Sequence, residues 1–330
     1  MQRARELAAS VRTSTSPNPW VGAVVVASSG EVLGEGATAP PGGPHAEVTA
    51  LVGAGERAHG ATMYVTLEPC AHTGRTPPCT DAIEAAGLRR VVIALSDPDP
   101  KVSGRGIATL EAAGIEVDVG VGEAEAGEQL APYLKHRLSG RPYVVLKLAI
   151  TLDGRTAAPD GTSKWITGPE ARADVQQLRA ESDAILVGAH TVELDDPQLT
   201  VRLEDGGTTR QPLRVVLGKV PPDARVQPAL ELSGDLGAIL EDLGSRAVLQ
   251  LLVEGGARTA QAFHAAGLVD RYVFYIAPVL LGGSDGRPVL DGSGVPTMSE
   301  AWRGQIVETQ RLGADLKVVI GSPVTKGQVG

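Results

Sequence analysis

The sequence predicts an α/β protein of two domains. Three observations carry this. The chain has 330 residues, about twice the length of a common single domain. Short β-branched runs alternate with helical patterns, as in sheets covered by helices. The alternation breaks at Ser139-Gly140-Arg141-Pro142, a linker-like stretch, and restarts with the apolar run Tyr143 to Ile150. The expected division is 1–140 and 141–330.

In the first half, Arg3 to Val11 places Ala4, Leu7, Ala8 and Val11 on one helical face. Ser16-Pro17-Asn18-Pro19 is a rigid turn, because each proline fixes its own φ and restricts the residue before it. Val21 to Ala27 reads as a strand. Asn18 stands at its mouth, either as a turn-former or as a partner for the amide-like edge of a base. Gly34 to Pro44, rich in glycine and proline, reads as a loop. His45 to Ala54 and Cys79 to Ala86 read as helices, and Ala61 to Leu67 as the strand between them. Arg90 to Leu95 is a strand, Ile107 to Ala113 a helix, Ile115 to Val121 a strand and Glu123 to Leu138 a charged helix.

The second half opens with the strand Tyr143 to Ile150 and the turn Thr151 to Ala157. Pro169 to Ala180 is a helix with proline at its start, where the missing N–H costs nothing. Ala184 to Gly188 and Leu213 to Leu217 are strands. Thr191 to Arg202, dense in polar groups, reads as a loop, and Lys219 to Gly234 as a mobile stretch of weak pattern. Ala247 to Val253 is a strand leading into Glu254-Gly255-Gly256, where a helix opens. Tyr272 to Leu280 and Leu316 to Ile320 are the last strands. There is no internal repeat.

Composition limits the function classes. The formal net charge is -9 and the pI near 5.3, which argues against a long basic footprint for nucleic acid. No 18-residue apolar run suggests a membrane span. The N-terminus carries Arg3, Arg5 and Glu6 among alanines, without the apolar centre of a signal peptide. Two cysteines and no export signal fit a reducing cytoplasm.

The chemistry concentrates between His45 and Cys79. Pro44-His45-Ala46-Glu47 is followed by the run T-L-E-P-C-A-H-T-G-R-T-P-P-C, Thr66 to Cys79. His45, Cys70 and Cys79 make a ligand set suited to Zn2+, and three protein ligands leave the fourth tetrahedral position for water. Glu47, two residues after His45, is not needed as a ligand and can carry protons. This is the zinc-deaminase pattern, in which the metal lowers the pKa of its water and the glutamate moves the proton to the leaving amine. Two alternatives stay open here: a closed structural site with His72 as fourth ligand, and a Cys70–Cys79 disulfide.

The second half is less explicit. A strand, then Gly255-Gly256, then a helix start is a phosphate cradle or simply a turn. There is no G-x-G-x-x-G. Arg179 and Arg202 either hold a phosphate or make surface ion pairs. Lys147, between apolar strand neighbours, either reaches outward or serves a site.

Taken together, these stretches resemble the bifunctional deaminase-reductase family of riboflavin biosynthesis. The resemblance is carried by T-S-P-N-P-W-V-G-A-V (Thr15 to Val24), P-H-A-E and the Thr66 to Cys79 run. In the second half it rests on K-L-A-I-T-L-D-G-R-T-A (Lys147 to Ala157), S-K-W-I-T (Ser163 to Thr167), S-D-A-I-L-V-G (Ser182 to Gly188), D-D-P-Q-L-T-V-R (Asp195 to Arg202) and L-V-E-G-G (Leu252 to Gly256). It implies a cytidine-deaminase-like three-layer domain followed by a dihydrofolate-reductase-like domain. It implies zinc on His45, Cys70 and Cys79, proton transfer by Glu47, and substrate contacts from Asn18, His72 and Arg75. In the second domain it implies NADPH contacts from Ala149, Trp165, Thr191, Asp195, Gly256, Ala257, Arg258 and Thr259. Substrate contacts fall to Ser163, Arg179, Leu199, Arg202 and Glu254. Lys147 and Asp195 are expected near the ribose carbonyl, where a hydride leaves an alkoxide that needs a proton. The expected substrate is a small pyrimidine ribosylamine phosphate, with no nucleic-acid or membrane partner, and the expected assembly a homo-oligomer, dimer or tetramer.

The chain departs from the family pattern in places. Thr38 stands where many members carry His, and Arg75 where many carry Lys. Gly218-Lys219 replaces an Asp-Ser-like pair, and the segment 219–234 is short. A nucleic-acid base deaminase and a non-catalytic zinc-stapled protein are the competing classes. The first would need a basic, aromatic groove; the second would have no use for Glu47.

Overall fold

The computed structural model describes residues 1–74, 76–100, 102–203 and 210–321. The chain divides into two compact units, Met1–Arg141 and Pro142–Gly330.

The first unit holds a five-stranded sheet of β1 (Gly22–Val26), β2 (Val32–Ala37), β3 (Thr62–Val65), β4 (Arg90–Ile93) and β5 (Glu116–Val119), in the order β2-β1-β3-β4-β5. β1 runs antiparallel to β2 and β3, while β3, β4 and β5 are parallel. Its helices are α1 (Gln2–Ser10), α2 (Ala46–Ala54), α3 (Cys79–Ala85), α4 (Arg105–Ala112) and α5 (Glu123–Ser139).

One expectation is corrected here. The glycine-rich stretch read as a loop contributes strand β2. Its glycines serve helix contact rather than turning. A Cβ on Gly34 would lie 2.1 Å from the Ala50 carbonyl oxygen, and one on Gly36 2.1 Å from that of Ala46. Helix α2 therefore lies backbone-close on β2. Gly22 does the same for α1, since a Cβ there would sit 1.9 Å from the Ala4 carbonyl oxygen. Thr38 closes this corner: its buried hydroxyl accepts the Val21 N–H at 3.0 Å.

The second unit holds an eight-stranded sheet of β6 (Tyr143–Thr151), β8 (Ala184–Gly188), β9 (Leu213–Leu217), β10 (Leu230–Leu232), β11 (Gln250–Val253), β12 (Arg271–Ala277), β14 (Gln305–Leu312) and β15 (Asp315–Gly321). The order is β10-β9-β8-β11-β6-β12-β15-β14. The first six strands of that order are parallel, and β15 and β14 add as an antiparallel pair. β7 (Arg155–Ala157) and β13 (Arg287–Pro288) form a small antiparallel pair. The helices are α6 (Pro169–Ala180), α7 (Ala189–Asp195), α8 (Leu236–Ser245) and α9 (Ala257–Ala265).

Central strands buried on both faces read as continuous apolar runs. Accordingly Val144, Leu146 and Leu148 of β6 enter one core cluster and Val145 the other. Lys147 shares the face of Val145, because side chains alternate along a strand. Three further expectations are corrected. The polar stretch from Thr191 begins inside α7, and the segment 219–234 contains β10, parallel to β9. The turn from Thr151 contains β7.

The Gly36 contact is testable. Gly36→Ala is expected to lower the unfolding free energy of the first unit by about 1–3 kcal/mol, the range for overpacking, measured by denaturant titration.

Candidate functional site

In the first unit, His45 is the N-cap of α2, Cys79 is the first residue of α3, and Cys70 follows β3. Their ligand atoms all lie within 4.8 Å of one another. His45 Nδ1 is 3.2 Å from Cys79 Sγ and 3.6 Å from Cys70 Sγ. Two ligands of a tetrahedral zinc, with bonds of about 2.1 and 2.3 Å, lie roughly 3.6 Å apart. The donor set and its spacing thus fit zinc. His45 Nε2 points to the Thr76 hydroxyl at 3.5 Å, a partner that fixes the ring when Nδ1 binds a metal.

Both cysteines are free thiols, so the disulfide alternative falls away. The hydrogen bond from Cys79 pulls the Cys70 thiol well below its ordinary value, and the His45 contact adds to it. The same bond, with burial, pushes Cys79 up. His72 is exposed and is not part of the cluster, so the closed four-ligand site finds no support among the described residues.

Glu47 is 4% exposed, in the first turn of α2. Burial raises its pKa. Beside Cys70, the Glu68 carboxylate accepts the N–H groups of Asp97 and Gly104 on one oxygen and of Gly106 and Ile107 on the other. That anchors the chain two residues before Cys70, and sequence reading did not single it out. Asn18 is half-buried in the turn before β1, its N–H bonded to the Thr15 carbonyl. Arg75 lies outside the described residues.

In the second unit, a cleft of about 1370 Å³ lies along the ends of the parallel strands. It is lined by Lys147, Ala149, Ser163, Trp165, Arg179, Thr191, Asp195, Arg202, Glu254, Gly256, Ala257, Arg258 and Thr259. Of the residues expected in this domain's site, only Leu199 is not in the lining; it is 3% exposed and packs in the core. Glu254 centres a charge triad. Arg179 donates to it twice, at 2.6 and 2.9 Å, and Lys147 Nζ lies 3.8 Å away. Burial alone would raise the Glu254 pKa, but the Arg179 charge and then Lys147 hold it below the usual carboxylate range. Burial lowers the Lys147 pKa, against the pull of Glu254. Arg179 and Glu254 thus pair with each other, not with surface partners.

Asp195 pairs with Lys164 at 3.1 Å, and the Thr191 hydroxyl accepts the Gly256 N–H at 3.2 Å. Gly255-Gly256 leads into α9 at the cleft wall, a helix start of the kind that cradles phosphate. Lys219 pairs with Glu231 and is not among the lining residues. Sequence reading missed Arg172 and Gln176, which also line the cleft. The signal was their spacing from Arg179 on one helical face.

Comparison with known proteins agrees with this geometry. The RibD C-terminal domain model matches residues 142–318, and the cytidine and deoxycytidylate deaminase zinc-binding region matches residues 1–95. The riboflavin biosynthesis protein RibD of Escherichia coli is 43% identical, with 96% of each chain covered. That of Mycobacterium tuberculosis is 44% identical, over 93% of this chain and 91% of the relative. Among solved structures, Acinetobacter baumannii RibD superposes with TM-score 0.92 at 40% identity, covering 98% and 97% of the two chains. The Thermotoga maritima diaminohydroxyphosphoribosylaminopyrimidine deaminase/5-amino-6-(5-phosphoribosylamino)uracil reductase gives 0.87 at 36%, with the same coverage. The expected fold, a deaminase-like domain followed by a reductase domain, and the zinc and NADPH expectations stand with these matches. The chain belongs to the RibD family of bifunctional deaminase-reductases of riboflavin biosynthesis.

Proposed function

We propose that this chain performs two consecutive reactions, with a deaminase domain at 1–140 and a reductase domain at 141–330. The first hydrolyses the 2-amino group of 2,5-diamino-6-ribosylamino-4(3H)-pyrimidinone 5′-phosphate, consuming water and releasing ammonia. The second uses NADPH to reduce the ribosyl group, giving 5-amino-6-ribitylaminouracil 5′-phosphate. One observation carries the reading: a His45-Cys70-Cys79 cluster beside buried Glu47 in one unit, and a Lys147-Glu254-Arg179 triad inside a cleft in the other.

In the first site, His45, Cys70 and Cys79 hold zinc, which supplies a Lewis acid that makes water nucleophilic near neutral pH. Glu47 takes the proton of the attacking water and returns it to the departing amine. Asn18 meets the pyrimidine edge, and His72 and Arg75 help to hold the substrate.

In the second site, Ala149, Trp165, Thr191, Asp195 and the Gly256-Ala257-Arg258-Thr259 helix start hold NADPH, which supplies the hydride. Ser163, Arg179, Arg202 and Glu254 hold the substrate, and Leu199, expected among them, packs in the core instead. The ribosyl oxygen released by reduction needs a proton. Lys147, made more acidic by burial and oriented by Glu254, gives it, and Asp195 is the second polar group near that carbon.

The partner is a small molecule, and we read the assembly as a homo-oligomer, dimer or tetramer. Supporting this, edge strand β14 is exposed along nearly its whole length, with Ile306 at 66% and Val307 at 50%, and such edges are ordinarily covered. No helix of the described residues is long and apolar enough to cross a membrane. Two unpaired thiols serving as ligands suit a reducing cytoplasm.

Glu47→Gln is expected to keep one zinc per chain while slowing ammonia release at least about 100-fold; metal analysis and an ammonia assay check both. Loss of zinc in that variant would give Glu47 a ligand role instead. Arg179→Met leaves the Glu254 carboxylate buried without its main partner. It is expected to cost the second unit about 3 kcal/mol at neutral pH. The Glu254 pKa is depressed in the folded chain, so its contribution is present above the ordinary carboxylate pKa and is lost as pH falls through the folded value. The cost should therefore shrink in acid, which denaturant titrations at two pH values will show.

A further inference from the structure

Trp165 is 71% exposed, unusual for a side chain of its size and apolar character. It sits in the cleft, in a stretch from residue 158 to 168 with turns and bends but neither helix nor strand. Yet the indole is held. The Arg172 guanidinium lies over one ring face, 4.5 Å from the centroid, and its Nη1 donates to the Thr167 carbonyl at 2.6 Å. The preceding residue, Lys164, is tied to Asp195.

Arg172 is also the first of three polar groups on one ridge of α6. Positions 172, 176 and 179 are spaced by four and three, so they share a helix face. Gln176 Oε1 accepts the Arg202 N–H at 2.9 Å, and Arg179 holds Glu254. The helix itself is fixed. Asp315 accepts the Gly168 N–H at 2.7 Å at its start, and Asp174 accepts the Tyr275 hydroxyl at 2.5 Å midway. One rigid element thus joins the indole at one end to the Glu254 triad at the other, about 10 Å along the axis.

We propose that Arg172 is a positioning residue for the dinucleotide: it holds the Trp165 indole as a platform on which a planar ring of the cofactor stacks. The proposal rests on the reading of the cleft as the NADPH site. A contact that leaves the indole mostly exposed buries little area and contributes little to folding. What it does is fix the orientation of an aromatic face, leaving the opposite face open. The guanidinium does this with two features, a flat cation for the ring and a fork for the Thr167 carbonyl. Lysine would keep the charge but lose both the flat face and the fork.

The test measures NADPH dissociation constants through dihydronicotinamide fluorescence, with kcat and KM for both substrates, on the full zinc-loaded chain. Arg172→Met is expected to raise the NADPH dissociation constant and KM about five- to tenfold. The KM for the deaminated pyrimidine and the rate of ammonia release should stay unchanged. Arg172→Lys should recover part of the loss. Trp165→Ala is the reference. If it weakens NADPH binding while Arg172→Met does not, the positioning role is overturned and the cofactor reading survives. If Trp165→Ala binds NADPH as tightly as the parent, the cofactor reading of Trp165 fails and the platform with it. A rise in both KM values for Arg172→Met would also overturn the proposal, marking a general structural role.

Discussion

Backbone N–H groups at helix starts, which have no partner within their own helix, are the constraint on which both sites depend. In the first unit, His45 caps α2, Cys79 begins α3, and the Cys79 N–H donates to Cys70 Sγ at 3.4 Å. A thiolate at such a position is favoured over a thiol. In the second, Gly255-Gly256 leads into α9, and the Gly256 N–H faces the Thr191 hydroxyl. Parallel strands deliver the chain to these points from the same direction, which gathers residues distant in sequence at one edge of each sheet.

Rigidity behind the sites comes from carboxylates that satisfy several donors at once. Glu68 takes four backbone N–H groups around the start of α4. A Cβ on Gly106 would lie 2.0 Å from the Pro69 carbonyl oxygen, so α4 rests directly on the chain beside Cys70. Asp183 plays the matching part in the second unit, accepting the Leu249 and Gln250 N–H groups at 2.8 and 2.9 Å. Buried acceptors holding several donors at once are costly to disturb, so the chain behind each site has little freedom to move.

The metal cluster was legible in the sequence because residue type and spacing alone state it. Helix α6 and strands β8 and β9 were legible too, with the bounds the pattern gives, since their apolar periods are clean. Strand β2 was not. Gly34 and Gly36 look like loop residues until the helix lying on them is seen. Strand β14 is exposed on nearly every residue, so it carries no alternation to read. The polar stretch entering α7 hid a helix that buries only Val192. The cleft was legible only through resemblance. No spacing rule brings Lys147, Arg179 and Glu254 together; the sheet order β8-β11-β6 does. Thr38 shows the reverse case: its hydroxyl ties the residue after β2 to the residue before β1, a structural use the sequence did not announce.

The central claim is that deamination precedes reduction, each in its own unit. Simultaneous recording of ammonia and NADPH in one time course on the zinc-loaded chain, started with the diaminopyrimidinone substrate, tests it most directly. The account predicts that ammonia appears whether or not NADPH is present, and that NADPH oxidation lags behind it and never exceeds it. NADPH consumption without ammonia would mean that the second site accepts the undeaminated ring, and would contradict the account.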